Sequence, residues 1–237
     1  VRFLIPLLAL GSNTYHVKMQ GGLSTRPMQG LLDLLIELGA KAEITNDVFI
    51  VQGPLNLNSI LEVDCSLTTQ FASAFMLIAS QTKLSVQLKN ISGSNKYLEM
   101  TSKVIEDLKS NFYKVPYDAS SLGYFVAYSI CAQSLTIENV FNRDDYQADS
   151  KIFDLMDTLK ISYQFSEEGL AITKPSSFGG FVIDGSACID LVPTLAVIAS
   201  FSSGESKLTN IKNLIHKESD RLKGILAILN YFKVPYN

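Results

Sequence analysis

The sequence predicts an α/β protein built from repeated β-α-β-α-β-β units, an inside-out arrangement with helices central and sheets outside, in two partial lobes. Three observations predict it. A strand, a polar loop and a helix with a Leu-rich end recur at residues 17–40, 84–112, 135–161 and 207–232, and a recurring supersecondary unit organises a whole fold. A second pattern alternates with the first at residues 63–80, 117–132 and 183–200. It is a short strand ending in Asp, then small or hydroxyl residues, then an apolar helix. These last helices are apolar nearly all round, which predicts burial, whereas the Leu-rich helices keep a polar face and belong outside. Alternating strands and helices would by themselves suggest a doubly wound parallel sheet. Buried helices with hydroxyl-rich N-termini fit the inside-out arrangement better.

The elements follow in order. Residues 1–10, V-R-F-L-I-P-L-L-A-L, place a cation before a short apolar run. That resembles a secretory signal core but is too short to span a membrane. It reads as an amphipathic or buried element of a cut chain. Residues 17–40 give a strand and the first Leu-rich helix, with Pro27 suited to the first helical position. Asn46-Asp47, between alternating residues, predicts a hairpin turn. Asp64 opens the first apolar helix and precedes an I-A-S by fourteen residues, as Asp184 does later. A lobe boundary is expected at 115–118, giving lobes 1–116 and 117–237. A second hairpin is expected at Glu168-Gly169. The tetrapeptide K-V-P-Y follows two of the Leu-rich helices, at 114–117 and 233–236.

Bulk composition excludes several classes. The 237 residues are 47% hydrophobic and carry a net charge of −3, so a sizeable core can form and no basic run suits nucleic acid. Cys65, Cys131 and Cys188 are odd in number and far apart. That argues against a disulfide framework and fits a reducing compartment such as the cytoplasm. No C-x-x-C or His cluster suggests a metal. His216 reads as a packing or capping residue, and His16 has no partner motif.

Four places carry candidate chemistry, each with a plainer alternative. Thr68, Thr69 and Gln70 open a buried helix, where free N–H groups can hold a phosphate or carboxylate; ordinary N-capping is the alternative. Arg26 lies at a helix entrance and suits a bidentate grip on an anion, or is a surface residue. Asp190 sits in an apolar run, where an acid is paired, functional or a cap. Lys217 and Arg221, four apart, would share one helical face and bind one anion with Glu218 beside them, or form a solvated first turn.

The segments L-S-T-R-P-M-Q-G-L-L-D-L-L-I-E-L-G-A, D-C-S-L-T-T-Q-F, D-A-S-S-L-G-Y-F and N-L-I-H-K-E-S-D-R-L resemble the 5-enolpyruvylshikimate-3-phosphate (EPSP) synthase family, in its order and spacing along the whole chain. The resemblance implies transfer of the enolpyruvyl group of phosphoenolpyruvate to the 5-hydroxyl of shikimate 3-phosphate, with no metal or organic cofactor. It implies that Thr68, Thr69, Gln70, Ser94, Tyr97, Asp190, Asn213 and Lys217 contact shikimate 3-phosphate. Arg26, Gln70 and Arg221 would contact phosphoenolpyruvate. Asp190 would be the base at the attacking hydroxyl, and Glu218 the acid at the methylene. Arg2 matches an arginine of the active-site region. Two segments depart from the family: T-T-Q stands for S-S-Q, and S-N-K-Y for S-K-P-Y.

The family's leading K-S segment and its N-x-G-T motif are absent, and further cations would lie beyond Asn237. The chain is therefore expected to be an internal fragment: most of the shikimate-3-phosphate-binding lobe in 1–116, and part of the second lobe, with Asp190 and K-E-S-D-R, in 117–237. Alone it is expected to be inactive and, through exposed core edges, prone to self-association, whereas the whole enzyme is expected to be a monomer. Two rivals remain. A UDP-N-acetylglucosamine enolpyruvyl transferase would carry a Cys in the loop before Arg26, where G-G-L-S-T-R-P has none. The other is a non-catalytic ligand-binding protein that kept the fold.

Overall fold

Two kinds of sheet alternate along the chain, one for each sequence pattern. The computed structural model describes residues 1–91, 96–110, 113–217 and 219–237. They divide into two compact units, Val1–Tyr113 and Lys114–Asn237.

The first unit begins with a short helix α1 (Leu4–Leu8). Strand β1 (Thr14–Lys18), helix α2 (Gln29–Glu37) and the hairpin β2 (Lys41–Thr45)–β3 (Val48–Gln52) follow. The sheet has antiparallel order β1-β3-β2. Asn46 and Asp47 both take positive φ, 50° and 61°, which matches the twist of a two-residue hairpin turn. Phe49 and Val51 alternate into the core. Leu31, Leu34 and Leu35 bury one stripe of α2, at the three- and four-residue spacing of one helical face. Gly39, at φ +88°, ends that helix, with Ala40 N–H returning to the Leu35 carbonyl at 2.9 Å; a left-handed terminator favours glycine. Pro27 lies outside α2, contrary to the expected first helical position, because residues 21–23 form a separate 3₁₀ turn and the helix starts only at Gln29.

Strands β4 (Ile60–Asp64) and β5 (Ser85–Lys89) then pair in parallel, connected through helix α3 (Gln70–Ala79). Helix α4 (Lys96–Asp107) packs on α3, and a buried hydroxyl pair, Thr101 Oγ1 to Ser73 Oγ at 2.8 Å, pins the two. Phe71, Phe75 and Ile78 make α3 the centre of this unit's core. Each such side chain contributes about 1.5–3 kcal/mol on burial.

The second unit repeats the plan. Helix α5 (Ala119–Cys131), β6 (Leu135–Ile137), α6 (Lys151–Thr158), β7 (Tyr163–Ser166) and β8 (Gly169–Ile172) give an antiparallel sheet of order β6-β8-β7. Strands β9 (Val182–Asp184) and β10 (Lys207–Thr209) pair in parallel around helix α7 (Val192–Ser200), and helix α8 (Arg221–Tyr231) follows. The second hairpin turns at Glu167-Glu168, one residue earlier than expected, because Gly169 already pairs with Ser166. Gly169 is required there: at φ +127°, an added Cβ would lie 2.1 Å from the Ile137 carbonyl oxygen.

The parallel pairs show why the Asp residues recur. Asp64 Oδ1 accepts from Ser66 N–H at 2.7 Å, and its Oδ2 accepts from Asn90 Nδ2 at 3.2 Å. Asp184 makes the same bonds to Ser186 N–H at 2.9 Å and Asn210 Nδ2 at 3.0 Å. Asn90 and Asn210 share a left-handed backbone, φ 53° and 55°. At the remaining copy Asp118 caps α5 through Ser120 N–H, but among the described residues no strand leads directly into it. The Tyr117 carbonyl accepts instead from Gln147 Nε2, and its hydroxyl accepts from Asp144 N–H. Side chains thus replace the missing sheet neighbour.

In both units α3, α5 and α7 are the most buried helices, and the sheets are open pairs and triplets rather than closed barrels. Burial is not complete all round, as the apolar sequences had suggested. Tyr124, Phe125 and Tyr128 on α5 remain 63%, 54% and 48% exposed. No helix among the described residues is long and apolar enough to cross a membrane.

Candidate active site

In the first unit the candidate residues gather where α3 begins. Thr69 occupies the N-cap position, yet its side chain makes no capping bond. Thr68 Oγ1 accepts from Gln70 N–H at a long 3.3 Å. Capping therefore accounts weakly for Thr68 and leaves the Thr69 hydroxyl unexplained. Arg2 lies at the same place. Its Nη1 donates to Gln70 Oε1 at 2.9 Å, and its Nη2 donates to the Pro27 carbonyl at 2.7 Å. Its guanidinium stacks on Phe71, 5.2 Å from the ring centre. Its Nε is buried and meets no acceptor among the described residues. Burial, then the like charge of Arg26, pull the Arg2 pKa down. Arginine nonetheless stays cationic in proteins, so two guanidiniums and a helix N-terminus concentrate positive potential here. Tyr97 is half-buried on α4, where its carbonyl accepts from Thr101 Oγ1 at 2.8 Å. Ser94 lies outside the described residues.

In the second unit Asp190 occupies the turn between β9 and α7. The turn is closed by Cys188 N–H to the Gly185 carbonyl and Leu191 N–H to the Cys188 carbonyl. Asp190 Oδ1 meets Lys217 Nζ at 2.9 Å and Arg221 Nη1 at 2.8 Å. The three side chains are 32%, 21% and 24% exposed. The paired role expected of Asp190 is the one found. The expectation of a shared helical face for Lys217 and Arg221 is corrected. Lys217 is extended, at φ −79° and ψ −169°, and α8 starts only at Arg221. The reason is Asp220, which accepts from Lys223 N–H at 2.9 Å and so fixes the helix start after Lys217. The two cations reach one carboxylate oxygen from separate elements. Asn213 is exposed on the 3₁₀ segment Lys212–His216. Glu218 and the side chain of His216 lie outside the described residues.

One residue escaped the sequence reading. Asp149 is only 3% exposed. Its Oδ2 accepts from Ser120 Oγ, and its Oδ1 meets no partner among the described residues. Burial pushes its pKa up, opposed by the Ser120 hydroxyl, with Asp190 and Asp118 pushing further up and Lys217 down. It therefore lies within electrostatic reach of the Asp190 and Lys217 pair. In sequence it stands among Asp144, Asp145 and Gln147, which reads as a solvated loop. The one signal was Ser120, two residues after a repeat Asp.

The thiols do not compete as nucleophiles. Burial pushes Cys188 up to about 12 and Cys131 up to about 11, whereas a reactive cysteine needs a lowered value. Among the described residues no group of three or more His, Cys, Asp or Glu could hold a metal ion. The first unit offers cations, hydroxyls and a helix N-terminus for anions; the second, taken by itself, offers two cations and a carboxylate.

The sequence matches the EPSP synthase (3-phosphoshikimate 1-carboxyvinyltransferase) family over residues 1–112 and 90–234. A 3-phosphoshikimate 1-carboxyvinyltransferase of Pyrococcus abyssi is 29% identical, over 96% of this chain and 59% of that protein. One of Methanococcoides burtonii is 28% identical, over 97% of this chain and 60% of that protein. The chain thus spans about three fifths of the length of these relatives. Among solved structures, an EPSP synthase from Acinetobacter baumannii superposes with a TM-score of 0.64 at 18% identity, over 97% of this chain and 58% of that one. The enolpyruvyl transferase NikO from Streptomyces tendae gives 0.60 at 12% identity, over 88% and 56%. At such identities the structures speak for the fold alone.

Proposed function

The chain belongs to the EPSP synthase family, and from that premise we propose that it is part of an enzyme transferring the enolpyruvyl group of phosphoenolpyruvate to the 5-hydroxyl of shikimate 3-phosphate. In this reading the hydroxyl oxygen attacks C2 of phosphoenolpyruvate while its proton passes to Asp190. Glu218 delivers a proton to the methylene, making a methyl group and a tetrahedral intermediate. Loss of phosphate, with return of a methyl proton, restores the double bond. Both substrates are anionic, and their charges are met by side chains, without metal or organic cofactor. Thr68, Thr69, Gln70, Ser94, Tyr97, Asn213 and Lys217 are assigned to shikimate 3-phosphate. Arg26, Gln70 and Arg221 are assigned to phosphoenolpyruvate. A cytoplasmic location goes with this reading.

The observation that carries it is the convergence of Lys217 and Arg221 on Asp190. Cations fixed where two anionic substrates would be gathered are preorganised charge, and such charge supplies much of an enzyme's rate enhancement. The test is calorimetry of shikimate 3-phosphate with the 237-residue chain, beside Lys217→Met. We expect saturable binding at up to millimolar ligand, weakened by about tenfold or more in the variant, as for loss of a charge-assisted bond. Heat with UDP-N-acetylglucosamine but none with shikimate 3-phosphate would overturn the proposal.

A further inference from the structure

The bond from Arg2 to Gln70 settles which way the Gln70 amide points. Oxygen and nitrogen of a side-chain amide are assigned from their partners. An arginine has only donors, so the atom facing Arg2 Nη1 is Oε1. The amide NH₂ is therefore turned away from Arg2. Arg2 is itself held in place by the Pro27 carbonyl and the face of Phe71. Through Pro27 it also ties the segment carrying Arg26 to the first residue of α3. Both acceptors of Arg2 are neutral, so they leave its charge uncancelled beside that of Arg26.

We propose that Arg2 is a positioning residue that locks Gln70 with its NH₂ presented as a donor to a phosphoryl group, and adds its own positive charge to the same subsite. The inference rests on the function proposed above and deepens it. The phosphoryl group belongs to phosphoenolpyruvate or to shikimate 3-phosphate, and the experiment separates the two. A lysine at position 2 keeps the charge but lacks the planar fork that reaches Gln70 and Pro27 together. A glutamate at position 70 keeps an acceptor for Arg2 but removes the donor.

The test is ¹H–¹⁵N NMR of the Gln70 side-chain amide in the 237-residue chain. Without ligand, we expect an ordered NH₂ pair in the wild type and loss of that order in Arg2→Lys. Each ligand is then titrated separately, and the one that shifts the pair saturably is the source. Arg2→Lys should weaken that ligand by about tenfold, the scale of a charge-assisted hydrogen bond. Gln70→Glu should weaken it at least as much while leaving the melting temperature unchanged or higher. An NH₂ pair equally ordered in wild type and Arg2→Lys would overturn the lock, whether or not ligand binds. Unchanged affinity in Arg2→Lys, or ligand binding that leaves the Gln70 pair unmoved, would overturn the donor role. Failure of the wider function is read separately, from calorimetry with shikimate 3-phosphate.

Discussion

Arg221 donates from Nη1 to Asp190 Oδ1 at 2.8 Å, and Lys217 closes on the same oxygen at 2.9 Å. Without ligand, then, both of these cations are engaged by the candidate base. Each partly exposed pair is worth at most about 1 kcal/mol, so a substrate anion can compete for them. Asp190→Asn should release both cations and tighten inorganic phosphate binding a few-fold, seen as a ³¹P NMR titration. Weaker binding in the variant would show that the carboxylate is not what occupies them.

Asp149 should make stability depend on pH in a direction unusual for an aspartate. Its folded pKa is raised above the ordinary 3.8, chiefly by burial. The native state therefore binds more protons than the unfolded chain between the two values, and stability falls as pH rises through that window. Asp149→Asn removes this fall, so the loss in melting temperature from about pH 4 to about pH 7 should shrink relative to the wild type. An equal or steeper loss, read by scanning calorimetry, would contradict the burial argument.

Asp118 has the opposite sign. The Ser121 hydroxyl, first among its partners, and the Ser120 N–H hold its carboxyl below the usual range. Its contribution is present above the unfolded value and is lost as pH falls through the folded one. Asp118→Ala should cost about 1 kcal/mol at neutral pH, the typical value of an N-cap. Denaturant melts should show that difference narrowing in acid.

Gly185 controls the turn that presents Asp190. A Cβ there would lie 2.5 Å from Ile211 Cγ2 and 2.9 Å from Val192 Cγ2. Gly185→Ala should destabilise by about 1–3 kcal/mol through overpacking, measured by urea unfolding. A neutral result would mean that the turn can relax.

Much of this was legible in the sequence because it repeats. The Asp that ends a strand recurs for a local reason, the bond to a backbone N–H two residues on, and local bonds leave a fixed spacing. Thr68, Gln70, Arg26 and Asp190 were found as polar residues where helix starts and apolar runs made them anomalous. What was missed depends on tertiary structure or on competing caps. Lys217 and Arg221 are four apart, but Asp220 claims the helix start and separates them. Asp149 looks solvated in its acidic loop but is buried where α5 packs on it and Ser120 donates to its Oδ2. Pro27 was a plausible helix opener, yet a 3₁₀ turn at 21–23 intervenes. The open side of α5 has no sequence signature, since an apolar helix reads alike whether or not every face is covered. Ser94 and Glu218 lie outside the described residues, and their roles rest on sequence alone.

The central claim is that these particular residues receive shikimate 3-phosphate. Backbone ¹H–¹⁵N NMR of the 237-residue chain, titrated with that ligand, tests it most directly. The account predicts saturable shifts concentrated at Thr68–Gln70, Asn213 and Lys217. Saturable shifts confined to other residues, or none at millimolar ligand, would contradict it.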